Sequence, residues 1–101
     1  MDLNLKNKVI IVTGGAKGIG EGIAEVLASE GAIVSIVGRN EADNQATVDK
    51  IKVKKGKAFS VVAELTKPKE CQKAVEKIVK KYGRIDGLVN NAGVNDGVGL
   101  E

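Results

Sequence analysis

The chain has 101 residues, enough for one hydrophobic core and not for two, so a single domain or part of one is expected. Sixteen Lys and Arg against thirteen Asp and Glu leave a net charge of +3, spread along the chain, which commits to no particular partner. With no histidine and a single cysteine, Cys71, these residues exclude a histidine base, a Cys/His pair, a structural zinc and an internal disulfide.

In chain order, the β-branched run KVIIVT (8–13) stops at glycines and has the form of a strand buried on both faces. A helix follows over 18–30, with Ile19, Ile23, Val26 and Leu27 at helical spacing and Gly31 at its end. AIVSIVG (32–38) reads as a second strand. The stretch 40–55 reads as a mostly polar helix whose apolar residues are Ala42, Ala46, Val48 and Ile51. KAFSVVA (57–63) makes a third strand. Pro68 then sits where a first helical turn tolerates it, and Cys71, Ala74, Val75, Ile78, Val79 and Tyr82 recur at steps of three and four before Gly83. RIDGLVN (84–90) supplies a fourth strand, and NAGVNDGVGLE is a glycine-rich loop without period. Strands alternating with helices across short turns predict an α/β fold: parallel strands with right-handed crossovers and helices on both faces.

Between the first strand and the first helix lies VTGGAKGIG (12–20). Gly14 can make the tight turn off the strand, Gly18 lets the backbone approach a phosphate, and Gly20 lets the helix pack close to the strand. Helix-start N–H groups and the positive end of the helix dipole then face an anion. A mononucleotide P-loop needs Lys followed by Ser or Thr at the last glycine, and here Gly20 is followed by Glu21 and Gly22. The pattern Thr13-Gly14-x-x-x-Gly18-x-Gly20 is instead a variant of the dinucleotide fingerprint with the first gap one residue longer.

That pattern after a first strand, together with Asn90-Asn91-Ala92-Gly93 ending a fourth, resembles the short-chain dehydrogenase/reductase family, and the resemblance covers essentially the whole chain. The MDLNL start and the GLVNNAGVNDGVGLE end are further similar to sugar dehydrogenases of the L-fucose dehydrogenase type. The family resemblance implies a Rossmann-like sheet in the order 3-2-1-4, with ligand bound at the switch point between strands one and four. It implies that Gly14, Gly15, Ala16, Lys17, Ile19 and Gly20, with Gly18, line the pyrophosphate and adenosine ribose of a nicotinamide dinucleotide. Asn90, Ala92 and Gly93 are then expected under the riboses, and Asn91 as a structural tie between neighbouring strands through backbone hydrogen bonds. Glu64-Leu65 stands where the family has an aspartate and an apolar residue that frame the adenine, so the carboxylate here is one methylene longer.

At the end of the second strand an acidic residue would bond a ribose 2′-OH, whereas an arginine accommodates a 2′-phosphate. The chain has Gly38-Arg39-Asn40 there, and Arg39 with Lys17 would make charge-assisted bonds to a dianionic phosphate. NADP is therefore expected ahead of NAD. Cys71 reads as a small buried hydrophobe and Tyr82 as a core residue. The lysines from 50 to 57 read as a solvated helix end. With Phe59 and Tyr82 the only aromatics, both in apolar pattern, no stacking platform accompanies that charge and no nucleic-acid partner is expected.

Hydride transfer in the family uses a Tyr-x-x-x-Lys pair and a serine, both after the fourth strand, and no residue of this chain matches them. The expectation is the incomplete N-terminal, cofactor-binding portion (1–101) of one NAD(P)-binding domain. The parent is then an oxidoreductase acting on an alcohol/carbonyl pair, with a sugar as the substrate, and this chain alone is not catalytically competent. An open fourth-strand edge further predicts self-association or marginal stability, and a homo-oligomer for the enzyme. No apolar run approaches the roughly 18 residues of a membrane-spanning helix, and the N-terminus lacks a signal-peptide stretch, so no membrane partner and a cytoplasmic location are expected. Two other readings are open at this level: a nucleotide-holding module without chemistry, and a basic nucleic-acid interaction domain.

Overall fold

A computed structural model of the protein describes residues 4–14 and 18–91. Its elements are β1 (Val9–Thr13), α1 (Gly18–Ser29), β2 (Ile33–Gly38), α2 (Glu41–Val53), β3 (Lys57–Val62), α3 (Pro68–Tyr82) and β4 (Gly87–Asn90). The four strands form one parallel sheet in the order β3-β2-β1-β4, as the sequence predicts. In register, Thr13 lies beside Val37 on one side and Asn90 on the other, so the C-terminal ends of β1, β2 and β4 share one edge of the molecule.

The two central strands are buried over nearly their whole length, which is why their sequences are continuous β-branched runs rather than alternating ones. On one face Ile10, Val12, Val34 and Ile36 pack with Ala24 and Ala28 of α1 and Val48 and Ile51 of α2. On the other, Val9, Ile11, Val37 and Val61 pack with Ala74 and Ile78 of α3. Phe59 and Tyr82 meet edge to face on that side, ring centroids 6.0 Å apart, beneath the Lys81 ammonium. Burial raises the pKa of the Tyr82 hydroxyl above its ordinary value.

The helices bury only part of the stripes that their spacing suggests, including Val48 and Ile51 in α2 and Ala74 and Ile78 in α3. In α1 the buried residues are Gly20, Ala24 and Ala28, while Ile19 and Val26 are exposed. Small residues let this helix lie close to β1, and Leu27 packs half-buried against the same cluster. In α2, Ala42 and Ala46 are exposed, and the polar Asn44 and Thr47 are buried beside Val48 and Ile51. Val75 and Val79 of α3 are likewise exposed, and Cys71 and Tyr82 are half-buried rather than core residues.

The fourth strand is shorter than predicted. Arg84 to Asp86 lie outside it because Asp86 is engaged as a cap: its carboxylate accepts from Val9 N–H at 2.8 Å and from the Arg84 guanidinium at 2.7 Å. Those two bonds, Arg84 first, lower the Asp86 pKa below the usual carboxylate range. Among the described residues β4 pairs only with β1, which leaves its outer edge open among them, and Leu88 on it is exposed. Of the lysine run, Lys50 and Lys54 reach across to Glu21 and Glu25 of α1, in keeping with a solvated helix end. Among the described residues, no helix is long and apolar enough to cross a membrane.

Candidate functional site

Those of the predicted cofactor residues that the structure describes lie at the C-terminal edge of the sheet. Gly14 continues the pairing of β1 for one residue, its N–H donating to the Val37 carbonyl at 3.0 Å, and then turns the chain with φ +67°, a left-handed conformation that suits glycine. Gly18 opens α1, and among the described residues nothing lies within 4 Å of where a Cβ would stand, so this side of Gly18 is open among them. Ile19 is exposed beside it. Gly20 is the opposite case. A Cβ there would lie 2.3 Å from the Gly14 carbonyl oxygen and 2.7 Å from the Asn91 amide nitrogen. No other residue fits this approach of α1 to β1. Gly15, Ala16, Lys17, Ala92 and Gly93 lie outside the described residues.

Across the switch point, the Thr13 hydroxyl donates to the Asn90 side-chain oxygen at 3.0 Å and lies 3.3 Å from the Val89 carbonyl oxygen. The Asn91 amide donates to the Gly14 carbonyl at 3.3 Å. Asn91 thus does tie the end of β4 to the end of β1, but with its side-chain amide as donor and Gly14, the residue after β1, as acceptor. Asn90 is exposed and held by Thr13, so it faces solvent at the same edge.

Arg39 projects from the turn between β2 and α2. Two asparagines fix that turn: Asn40 caps α2, its side-chain oxygen accepting from Asp43 N–H at 2.9 Å, and buried Asn44 donates to the Gly38 carbonyl at 3.0 Å. The Arg39 side chain is 81% exposed and lies 3.9 Å from the Glu64 carboxylate, an ion pair worth about 0–1 kcal/mol at such exposure. Glu64 and Leu65 form the turn after β3, and two residues of α3 hold it. Glu70 accepts from the Glu64 N–H at 2.7 Å, and the Cys71 thiol lies 3.5 Å from the Leu65 carbonyl oxygen.

Asn44 and Glu70 are the residues that sequence reasoning missed. Asn44 lies among polar neighbours in α2, and only the fold reveals that Gly38 passes beneath it. Glu70 carried a weak signal as an acid in the first turn after Pro68, where a carboxylate meets free helical N–H groups. Instead it serves the preceding loop. Among the described residues, no group of three or more Cys, Asp or Glu is placed to hold a metal ion.

A parallel sheet with a glycine turn and a helix N-terminus at its switch point defines a nucleotide-binding Rossmann-like α/β protein. The family model of the short chain dehydrogenases matches residues 8–101, and the chain belongs to that family of oxidoreductases. It is 38% identical over 93 residues to the short-chain dehydrogenase/reductase homolog YusS of Bacillus subtilis, covering 91% of this chain and 85% of that protein. It is 41% identical over 93 residues to sorbitol-6-phosphate 2-dehydrogenase of Klebsiella pneumoniae, covering 92% of this chain and 32% of that one. The crystal structure of L-sorbose reductase from Gluconobacter frateurii, complexed with NADPH and L-sorbose, superposes with a TM-score of 0.87 at 34% identity, over 92% of this chain and 36% of that one. The chain therefore spans most of one relative and about a third of the other two.

Proposed function

We propose that this chain is the N-terminal, cofactor-binding portion of one NAD(P)-binding domain. In this reading its parent transfers a hydride between a nicotinamide cofactor and an alcohol/carbonyl pair, and the acid/base tyrosine and its partners lie outside these residues. The observation that carries the reading is the edge where the β1 and β4 ends meet. Gly14 turns there, α1 begins there, and Asn90 and Asn91 close the side opposite β2. The first N–H groups of α1 have no partner within the helix, and the open side of Gly18 fits an approaching pyrophosphate. When bound, the nicotinamide supplies the hydride acceptor or donor. The residues of this chain bind and orient it: Gly14, Gly15, Ala16, Lys17, Gly18, Ile19 and Gly20 along the pyrophosphate, Glu64 and Leu65 at the adenine, Asn90, Ala92 and Gly93 beneath the riboses.

Arg39 at the β2 end supports NADP as the preferred cofactor over NAD, because a guanidinium binds a dianionic phosphate with charge-assisted, bidentate hydrogen bonds. A sugar or sugar-like alcohol is the proposed substrate, in keeping with the sugar-linked names of two of the relatives and with the likeness to L-fucose dehydrogenase-type enzymes. The parent is proposed to be a cytoplasmic homo-oligomer, with the open β4 edge covered in the whole protein. The test is calorimetric titration of the chain with NADP and then NAD at moderate salt. Binding that prefers NADP, and loses that preference in Arg39→Ala, supports the reading. Absence of binding to either cofactor overturns it for this chain.

A further inference from the structure

Arg39 is not a free cation awaiting a phosphate. Its guanidinium lies 3.9 Å from the Glu64 carboxylate, which comes from the neighbouring strand end and is itself 31% exposed. The Glu64 backbone is anchored by Glu70 through a 2.7 Å bond, so the carboxylate is presented from a fixed turn while the arginine is the exposed, adjustable partner.

Resting on the reading of Arg39 as the 2′-phosphate contact, we infer that Glu64 is a specificity-determining residue that opposes NADP by competing with the 2′-phosphate for Arg39. With NAD, the ion pair stays intact as a wall at the adenosine end. With NADP, the guanidinium must turn from carboxylate to phosphate, and Glu64 is left unpaired close to a dianion. Both effects act on the phosphorylated ribose alone. An aspartate at this position has one methylene less and reaches less far across the 3.9 Å gap, so the longer carboxylate is what couples the β3 turn to the β2 turn. The penalty of an exposed pair at this range corresponds to a change in affinity of up to about fivefold.

The experiment is titration of the whole chain with adenosine 2′,5′-bisphosphate and with adenosine 5′-monophosphate, two probes that differ only by the 2′-phosphate. It is run on wild type, Glu64→Gln, Arg39→Ala and the double variant, with a thermal melt of each to show that it is folded. Glu64→Gln keeps the shape and the side-chain oxygen but removes the charge. The expected result is a rise of about twofold to fivefold in selectivity for the bisphosphate in Glu64→Gln, and a smaller rise when Arg39 is already absent. Selectivity unchanged by Glu64→Gln but lost in Arg39→Ala overturns the inference and leaves the Arg39 reading standing. Selectivity unchanged in Arg39→Ala overturns that reading, and no binding of either probe by wild type overturns the cofactor site; each removes the inference with it.

Discussion

The side-chain amide of Asn91 donates to the carbonyl of Gly14 at 3.3 Å, joining residues 77 positions apart and locking the end of β4 to the turn that leaves β1. Gly20 lies directly against both groups. The glycine turn is therefore not shaped by its own residues alone but is clamped between α1 and the strand that arrives last.

Gly20→Ala tests this clamp. Its methyl group would stand 2.3 Å from the Gly14 carbonyl oxygen, and relief requires α1 or the turn to move. Overpacking of this kind costs about 1–3 kcal/mol, so the midpoint of chemical denaturation is expected to fall at unchanged slope. A variant as stable as wild type would show that α1 stands off from β1 in solution.

Ser35 lies in the middle of β2, between Ile11 and Phe59 in register, and its fully buried hydroxyl has no hydrogen-bond partner among the described residues. Burying an unpaired hydroxyl costs roughly 1–3 kcal/mol, whereas removing one oxygen atom leaves only a small void. Ser35→Ala is accordingly expected to raise stability by about 1 kcal/mol, seen as a higher melting temperature. A lower melting temperature would mean that the hydroxyl does bond a neighbour.

Asp86 predicts a pH dependence. Its folded pKa is lowered, chiefly by the Arg84 bond and then by the Val9 N–H, so the unfolded chain takes up this proton first as pH falls. The stability it contributes is fully present above the unfolded carboxylate value of about 3.9 and is lost as pH falls from there through the lowered folded value. Asp86→Asn keeps an acceptor for Val9 but loses the charge. It is expected to be less stable than wild type at neutral pH, with the gap closing across that acid window. A gap that stays constant to low pH would place its cause elsewhere.

The alternation of parallel strands and helices was legible in the sequence, and the strand order was implied by the family resemblance. Continuous β-branched runs have only one way to be buried on both faces, and short connections between parallel strands enforce crossovers. The family was legible for a related reason: Thr13-Gly14-x-x-x-Gly18-x-Gly20 and Asn90-Asn91 mark backbone positions where few residue types fit. Helix faces were less legible. Counting apolar residues in α1 favours Ile19, Ile23 and Val26, but the face that packs is made of Gly20, Ala24 and Ala28, because distance to the sheet and not hydrophobicity chooses it.

By itself, then, the sequence determined the local character of each element and the chemistry of the loop between β1 and α1, since both depend on residues close together in the chain. Only the tertiary structure decided which distant groups meet. The pairing of Arg39 with Glu64, the anchoring of the Glu64 turn by Glu70, the burial of Asn44 against Gly38 and the capping of β1 by Asp86 each join separate segments. No periodicity encodes such contacts, because they arise where packing of the sheet and its helices brings polar side chains to unpaired backbone groups or, for Arg39 and Glu64, to one another.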